Sequence, residues 1–325
     1  MAPQSYYIGG KIRASDLSAW YNDLNNIVGV GVGDSGYGQS QLYTDVSHII
    51  PGYKIKSEDW DRLLVVMHHA ARHQGTSITV PTDVNDPAFP GINKVIEIIT
   101  DLEFDMNSII SNKLNANLAY MTLAGNKLAS SNTYYDPQSG TPTWTGTVFY
   151  EFNATFADED TRRHFFNTGG EVRIDNSLTN VDISHAQSVA WEELISTVGV
   201  IKFAINTTSS TGEVGTPGPG FTSLTTSYEL VYTKGGTADY AQNQINVYAK
   251  LSGTNEIDFK ISFDDAHLAD SGTWENPPDS GSWTGTDYVA GTLTVSIGDL
   301  YADDTTTDGV ALASTLPTYS HITEL

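Results

Sequence analysis

The stretch from Trp144 to Ile174, WTGTVFYEFNATFADEDTRRHFFNTGGEVRI, restricts the fold more than any other part of the chain. Val148, Tyr150, Phe152, Ala154 and Phe156 alternate with Thr147, Phe149, Glu151, Asn153 and Thr155, the period of two that a strand with one buried face requires. Asp158 is placed to cap a short helix from Asp160 to Phe166, and Gly169-Gly170 then turns the chain into a second strand from Glu171 to Ile174. No nucleophile stands beside a base here, so the stretch reads as a part used for building. Glu171 and Arg173 are set for a turn-fixing ion pair or a subunit contact, and His164, Phe165, Phe166 and Asn167 are expected to close one end of a β domain.

Before this stretch the pattern is helical. Ser15 is a candidate N-cap for a helix from Asp16 to about Val28, with Leu17, Trp20, Leu24 and Ile27 on one face. Ser57 similarly precedes a helix to about His73, carrying Trp60, Leu63, Leu64 and Met67 and stopped by Gly75. The two starts share a word, Lys11-Ile12-Arg13 with Asp16 and Lys54-Ile55-Lys56 with Asp59, which suggests a duplicated strand-then-helix unit. A third helix is expected from about Ile92 to Leu123, where Ile92, Ile99 and Met106 share one heptad position and Val95, Leu102, Ile109, Ala116 and Leu123 the other. The stripe suits either packing on the two preceding helices or a self-associating coiled coil, a trimer among its candidate states. In the second case Trp20, Trp60, Ile99, Leu102, Met106 and Ile109 form the interface.

From Ser130 to Thr143 the residues are small, polar and proline-bearing, as in a linker. The boundary falls there, giving a helical docking or oligomerisation region over 1–130 and a β domain over 131–325. In the latter a helix is expected from Ser184 to about Thr197. Strands are expected at Val200 to Ile205, Ser227 to Thr233, Gln244 to Leu251, Ile257 to Phe263 and Gly291 to Ile297. The fold class is therefore α+β: an N-terminal helical region followed by a mainly antiparallel β-sandwich with small helices.

Charge narrows the partners. The chain has 39 acidic against 16 basic residues, a net charge of −23, and no Lys or Arg after Lys260; such a surface repels phosphate backbones and argues against nucleic acid as a ligand. The absence of cysteine removes disulfides, thiolate chemistry and Cys-ligated zinc. The N-terminus lacks the apolar core of a signal peptide and no run approaches the roughly 20 apolar residues of a bilayer span, so neither secretion by that route nor a membrane partner is expected.

The chemical motifs are weak. Gly31, Gly33 and Gly36 spell GxGxxG but leave a helix for a polar loop, the reverse of a dinucleotide fingerprint. His69 and His73 have metal-binding spacing without a third ligand, and His68 lies beside them. Asp264-Asp265 and Asp303-Asp304 with Asp308 could give carboxylates to a structural calcium, although the spacing of an EF-hand is absent and no other cofactor is implied. Trp144, Tyr150, Tyr228, Tyr232, Tyr248, Trp274, Trp283 and Tyr288 could fill a β core or line a face for a host glycan. No catalytic residues emerge, and no enzyme is expected.

Taken as an ordered set, KIRASDLSAWYNDL, GYGQS at 36–40, YKIKSEDWDRLL, HQG at 73–75 and RRHFFNTGGEVRI resemble virion structural proteins of tailed bacteriophages, especially contractile-tailed cyanophages. The resemblance covers roughly the first 175 residues. It implies a non-enzymatic component of the particle, in the tail, baseplate, neck or an attached fibre, with other virion proteins and copies of itself as partners. A host-surface polysaccharide recognition module of a tail fibre is the alternative.

Overall fold

A computed structural model of the chain describes residues 12–28, 37, 49–82, 95–135, 144–267, 269–276, 279–286, 288–303 and 312–325. The fold is α+β and mainly β. It divides into two compact units, one made of 1–122, 159–170 and 301–315, the other of 123–158, 171–300 and 316–325. A single cut near residue 130 therefore does not describe the division, because two later segments belong with the first unit. The expected linker is strand as far as Tyr134, and residues 136–143 lie outside the described residues.

In the helical unit, α1 (Ala14–Val28), α2 (Ser57–Gln74) and α3 (Val95–Ser111) surround one apolar core. Leu17, Leu24, Leu63, Leu64, Met67, Ile99 and Leu102 are each fully buried there, and such side chains contribute roughly 1.5–3 kcal/mol apiece by leaving water. The helix starts differ from expectation in one way. Arg13 and Lys56, not Ser15 and Ser57, precede the first helical residues, and each N–H donates to the carboxylate three positions on: Arg13 to Asp16 at 2.9 Å and Lys56 to Asp59 at 2.8 Å. The shared word thus has one shared local geometry, an acidic side chain folding back on its own helix start.

α3 ends at Ser111, well short of Leu123. Asparagines explain the stop, since Asn112 donates to Thr76 Oγ1 at 3.1 Å, Asn115 donates to Asn112, and Asn117 caps a short 3-10 turn over Leu118–Tyr120. Such side chains offer the backbone alternatives to helix.

The β unit is built on an 11-stranded antiparallel sheet that nearly closes on itself like a barrel, in the order β1-β12-β3-β4-β5-β6-β7-β8-β9-β2-β13. In chain order these strands are β1 (Met121–Tyr134), β2 (Thr147–Thr155), β3 (Glu171–Thr179), β4 (Ile201–Phe203), β5 (Thr207–Ser210), β6 (Thr216–Pro219), β7 (Glu229–Gly235), β8 (Gln244–Leu251), β9 (Glu256–Asp264), β12 (Gly291–Ala302) and β13 (Thr318–Thr323). A separate hairpin pairs β10 (Ala269–Asn276) with β11 (Asp279–Thr286). Two helices, α4 (Glu159–Asn167) and α5 (Ala186–Val198), interrupt the strands.

The opening stretch forms the strand, helix and strand expected of it, yet β2 and β3 are not neighbours: β2 lies between β9 and β13, and β3 between β12 and β4. One face of each central strand fills the core, as Tyr150, Phe152 and Ala154 on β2 and Ile257, Phe259, Ile261 and Phe263 on β9 are fully buried. The sheet bends at β6, which pairs Thr216 and Pro217 with β7 but Gly218 and Pro219 with β5. Gly218 is needed at this crossing, where a Cβ would stand 2.3 Å from the Val231 carbonyl oxygen. The bend brings Phe203 of β4 edge-on to Phe259 of β9, with ring centroids 5.0 Å apart.

Candidate functional site

Two helix ends in the helical unit are closed by the same device. At the end of α2, Gly75 adopts φ +70°, its N–H donates to Arg72 O and that of Thr76 to Ala71 O. At the end of α4, Gly169 adopts φ +89°, its N–H donates to Phe166 O and that of Gly170 to Phe165 O. Both are Schellman closures, in which a left-handed glycine lets the chain satisfy the last carbonyls of a helix. The glycines of HQG and of FFNTGG are thus stop signals.

Polar side chains next to these stops tie the two ends together. His73, fully buried, lies 3.1 Å through Nε2 from the Thr168 carbonyl oxygen; a carbonyl only accepts, so Nε2 carries the proton. Thr168 Oγ1 lies 2.8 Å from His164 O and 2.8 Å from Ser314 Oγ. Gln74 Nε2 donates to the hydroxyl of Tyr37 at 2.9 Å, and the Tyr37 ring meets His73 edge-on at 5.4 Å. Burial pushes the Tyr37 phenol up. His164 is 7% exposed; burial, aided by nearby His73 and opposed by a hydrogen bond to the Leu312 carbonyl, lowers its imidazole to about 4. The junction therefore holds His164 neutral at pH 7. With His73 Nε2–H spent on a carbonyl, the arrangement is suited to fixing backbone and not to proton transfer.

Gly169 tests this arrangement. A Cβ at this position would stand 2.4 Å from Ala116 Cβ while the backbone keeps a positive φ. Gly169→Ala is expected to destabilise the helical unit by roughly 3 kcal/mol, from backbone strain and overpacking together. Urea unfolding followed by helical circular dichroism measures it, and an unshifted midpoint would refute the closure.

The structure places the other sequence-selected residues as follows. Trp20, Trp60, Ile99, Leu102, Met106 and Ile109 are all buried within the helical unit, at 0–8% exposure, with Trp20 and Trp60 ring centroids 5.9 Å apart. Within the single chain these side chains pack in the core formed by α1, α2 and α3, the packing on the two preceding helices that the stripe allows. Phe104, by contrast, is a large apolar residue 68% exposed on α3. The segment His164 to Asn167 belongs with the helical unit. Glu171 and Arg173 do form an ion pair, at 2.7 Å.

His68 Nε2 meets the Val80 carbonyl at 2.9 Å while His73 serves Thr168, so these two rings are engaged separately. Among the described residues no group of three metal-ligating side chains comes together. Asp264 accepts from Asn246 and Ser262, Asp265 from Gln187, and Asp303 from Thr122. Asp304, Asp308 and the glycines Gly31, Gly33 and Gly36 lie outside the described residues. Of the aromatics, Trp144, Tyr150, Tyr232 and Tyr288 are buried, which leaves them no face for a glycan. Among the described residues no helix is long and apolar enough to cross a membrane.

Sequence reasoning did not connect Tyr37, Gln74, Thr168 and Ser314. The available signal was the repeated glycine stop, each preceded by polar residues. No family model, curated protein or solved structure matches the chain.

Proposed function

We propose that the chain is a structural component of a bacteriophage particle, in the tail, baseplate, neck or an attached fibre, acting through assembly contacts and not catalysis. The observation that carries this reading is the use made of the words that resemble those of such proteins. Tyr37 of GYGQS, His73 and Gln74 of HQG, and His164 to Gly170 of RRHFFNTGG are spent on one buried junction that holds helix ends together. Residues serving catalysis leave donors and acceptors facing a substrate; these face one another.

In this reading the β unit is a sandwich whose halves are joined at β6, and the helical unit docks on the particle. Its partners are other virion proteins and copies of itself, without nucleic acid or membrane. The terminal strands of the sheet order, β1 and β13, offer the backbone groups through which a neighbour can add a strand. Mass spectrometry and antibody labelling of purified particles from the encoding genome test the proposal. A stoichiometric band and label at a fixed place on the particle are expected, whereas protein confined to the infected lysate overturns it.

A further inference from the structure

The two ends of the sheet order, β1 and β13, come together without a ladder between them among the described residues. Side-chain hydrogen bonds bridge the seam instead. The N–H of Leu325, two residues past β13, donates to Ser130 Oγ of β1 at 3.1 Å, and the Tyr319 hydroxyl of β13 donates to Asp299 Oδ1 of β12, the strand next to β1. β13 itself is lightly held. It pairs with β2 alone, its register slips between His321 and Thr323, and four of its six residues are exposed. Apart from the ladder, Tyr150 of β2 fastens it through a hydroxyl 2.9 Å from His321 Nδ1, while His321 Nε2 lies 3.8 Å from Glu324. Elements with few buried contacts open locally at lower cost than the core of a domain.

The seam also carries a buried charge. Asp299 is 1% exposed, and its Oδ2 has no hydrogen-bond partner among the described residues. With Tyr319 satisfying one oxygen alone, the ionised carboxylate is left short of the hydration it has in water. The groups around it do not make up the difference. Lys127 of β1 attracts it, but that side chain is exposed, so water screens it, and it makes no ion pair among the described residues. On β3 the residue opposite Asp299 is Val172, and Glu171 and Arg173 on either side of it belong to the other face of the strand and pair with each other at 2.7 Å. Burial therefore prevails and raises the Asp299 carboxyl to about 6, against the Tyr319 hydrogen bond and Lys127. Tyr319 stands on β13, so lifting that strand uncovers Oδ1 and admits water to the carboxylate.

We propose that β13 is a strap over the seam of the sheet, closed while Asp299 is protonated and released more readily once Asp299 ionises, so that rising pH frees the edge of β2. The proposal is independent of the virion reading. Hydrogen exchange of the full chain, followed by mass spectrometry at pH 5 and pH 7.5 with each rate divided by the intrinsic rate at that pH, tests it. Peptides covering β13 and the adjoining edge of β2 should open about tenfold more often at pH 7.5, the ratio given over this interval by ionisation near 6 when closed and near 3.8 when open. Peptides from β8 should keep their protection. Asp299→Asn, which accepts from Tyr319 without ionising, should remove the pH dependence and hold β13 closed at both values. Tyr319→Phe leaves the carboxylate without its donor and should raise opening at pH 7.5 by about another tenfold, the scale of a charge-assisted hydrogen bond. Equal opening of β13 at the two pH values, an unchanged pH dependence in Asp299→Asn, or exchange of β13 and β8 in one common step overturns the proposal.

Discussion

Leu102→Asp unfolds the helical unit. Leu102 is fully buried among α1, α2 and α3, so truncation alone costs about 2–5 kcal/mol, and an unpaired carboxylate adds the penalty of a buried charge. Together these approach the whole stability of a domain, on the order of 5–15 kcal/mol. Phe104→Asp, on the same helix but at an exposed position, should change stability by no more than about 0.5 kcal/mol. Helical circular dichroism and limited proteolysis separate the two variants. Were Leu102→Asp to fold and melt like the parent and alter only the mass in sedimentation, the stripe on α3 would be an intermolecular seam and its place in the core would be wrong.

Acidification should weaken the helical unit and, through Asp299, strengthen the β unit. His164 binds a proton near pH 6.5 when unfolded but only near 4 when folded. Between these values the unfolded state holds more protons, so the stability present above pH 6.5 is lost as pH falls toward 4. Asp299 has the opposite sign. It is 1% exposed, and burial raises its carboxyl to about 6 despite a hydrogen bond from Tyr319 and the positive charge of Lys127. The folded state then keeps a proton that the unfolded state has released near 3.8. Its contribution is full below about 3.8 and is lost as pH rises through about 6.

Each effect reaches on the order of 3 kcal/mol when fully developed. Asp299→Asn, which cannot ionise yet still accepts from Tyr319, should raise the melting temperature of the β unit at pH 7.5 and leave it unchanged at pH 4. His164→Gln should flatten the acid side of the helical unit's melting curve. Equal shifts of Asp299→Asn and parent at both pH values would remove Asp299 from this account.

The parts of the fold legible in the sequence are those in which one face is buried. β2, β8 and β9 alternate cleanly because their alternate residues fill the core, and α1, α2 and α5 carry apolar stripes for the same reason. β1 is hidden because it ends the sheet order and only Ser130 and Tyr134 of it are buried, so Ser131, Asn132 and Thr133 are tolerated and resemble a linker. The end of α3 is hidden because a heptad pattern continues past the asparagines that stop the helix. The division of β6 between β5 and β7 is hidden because TPGP carries no period that reveals it. The junction is legible as two glycine stops but not as a contact, since His73 and Thr168 are 95 residues apart.

The interleaving of the two units bears on how the protein is made. Leu312, near the C-terminus, is a fully buried member of the helical core, and Ser314 completes the junction at Thr168. A ribosome that has released α1, α2 and α3 has therefore not yet supplied everything their core needs, and the usual order in which an N-terminal domain folds first is blocked. The first helices synthesised are the last to be sealed, so a chain that stops before Leu312 leaves the core of the helical unit incomplete.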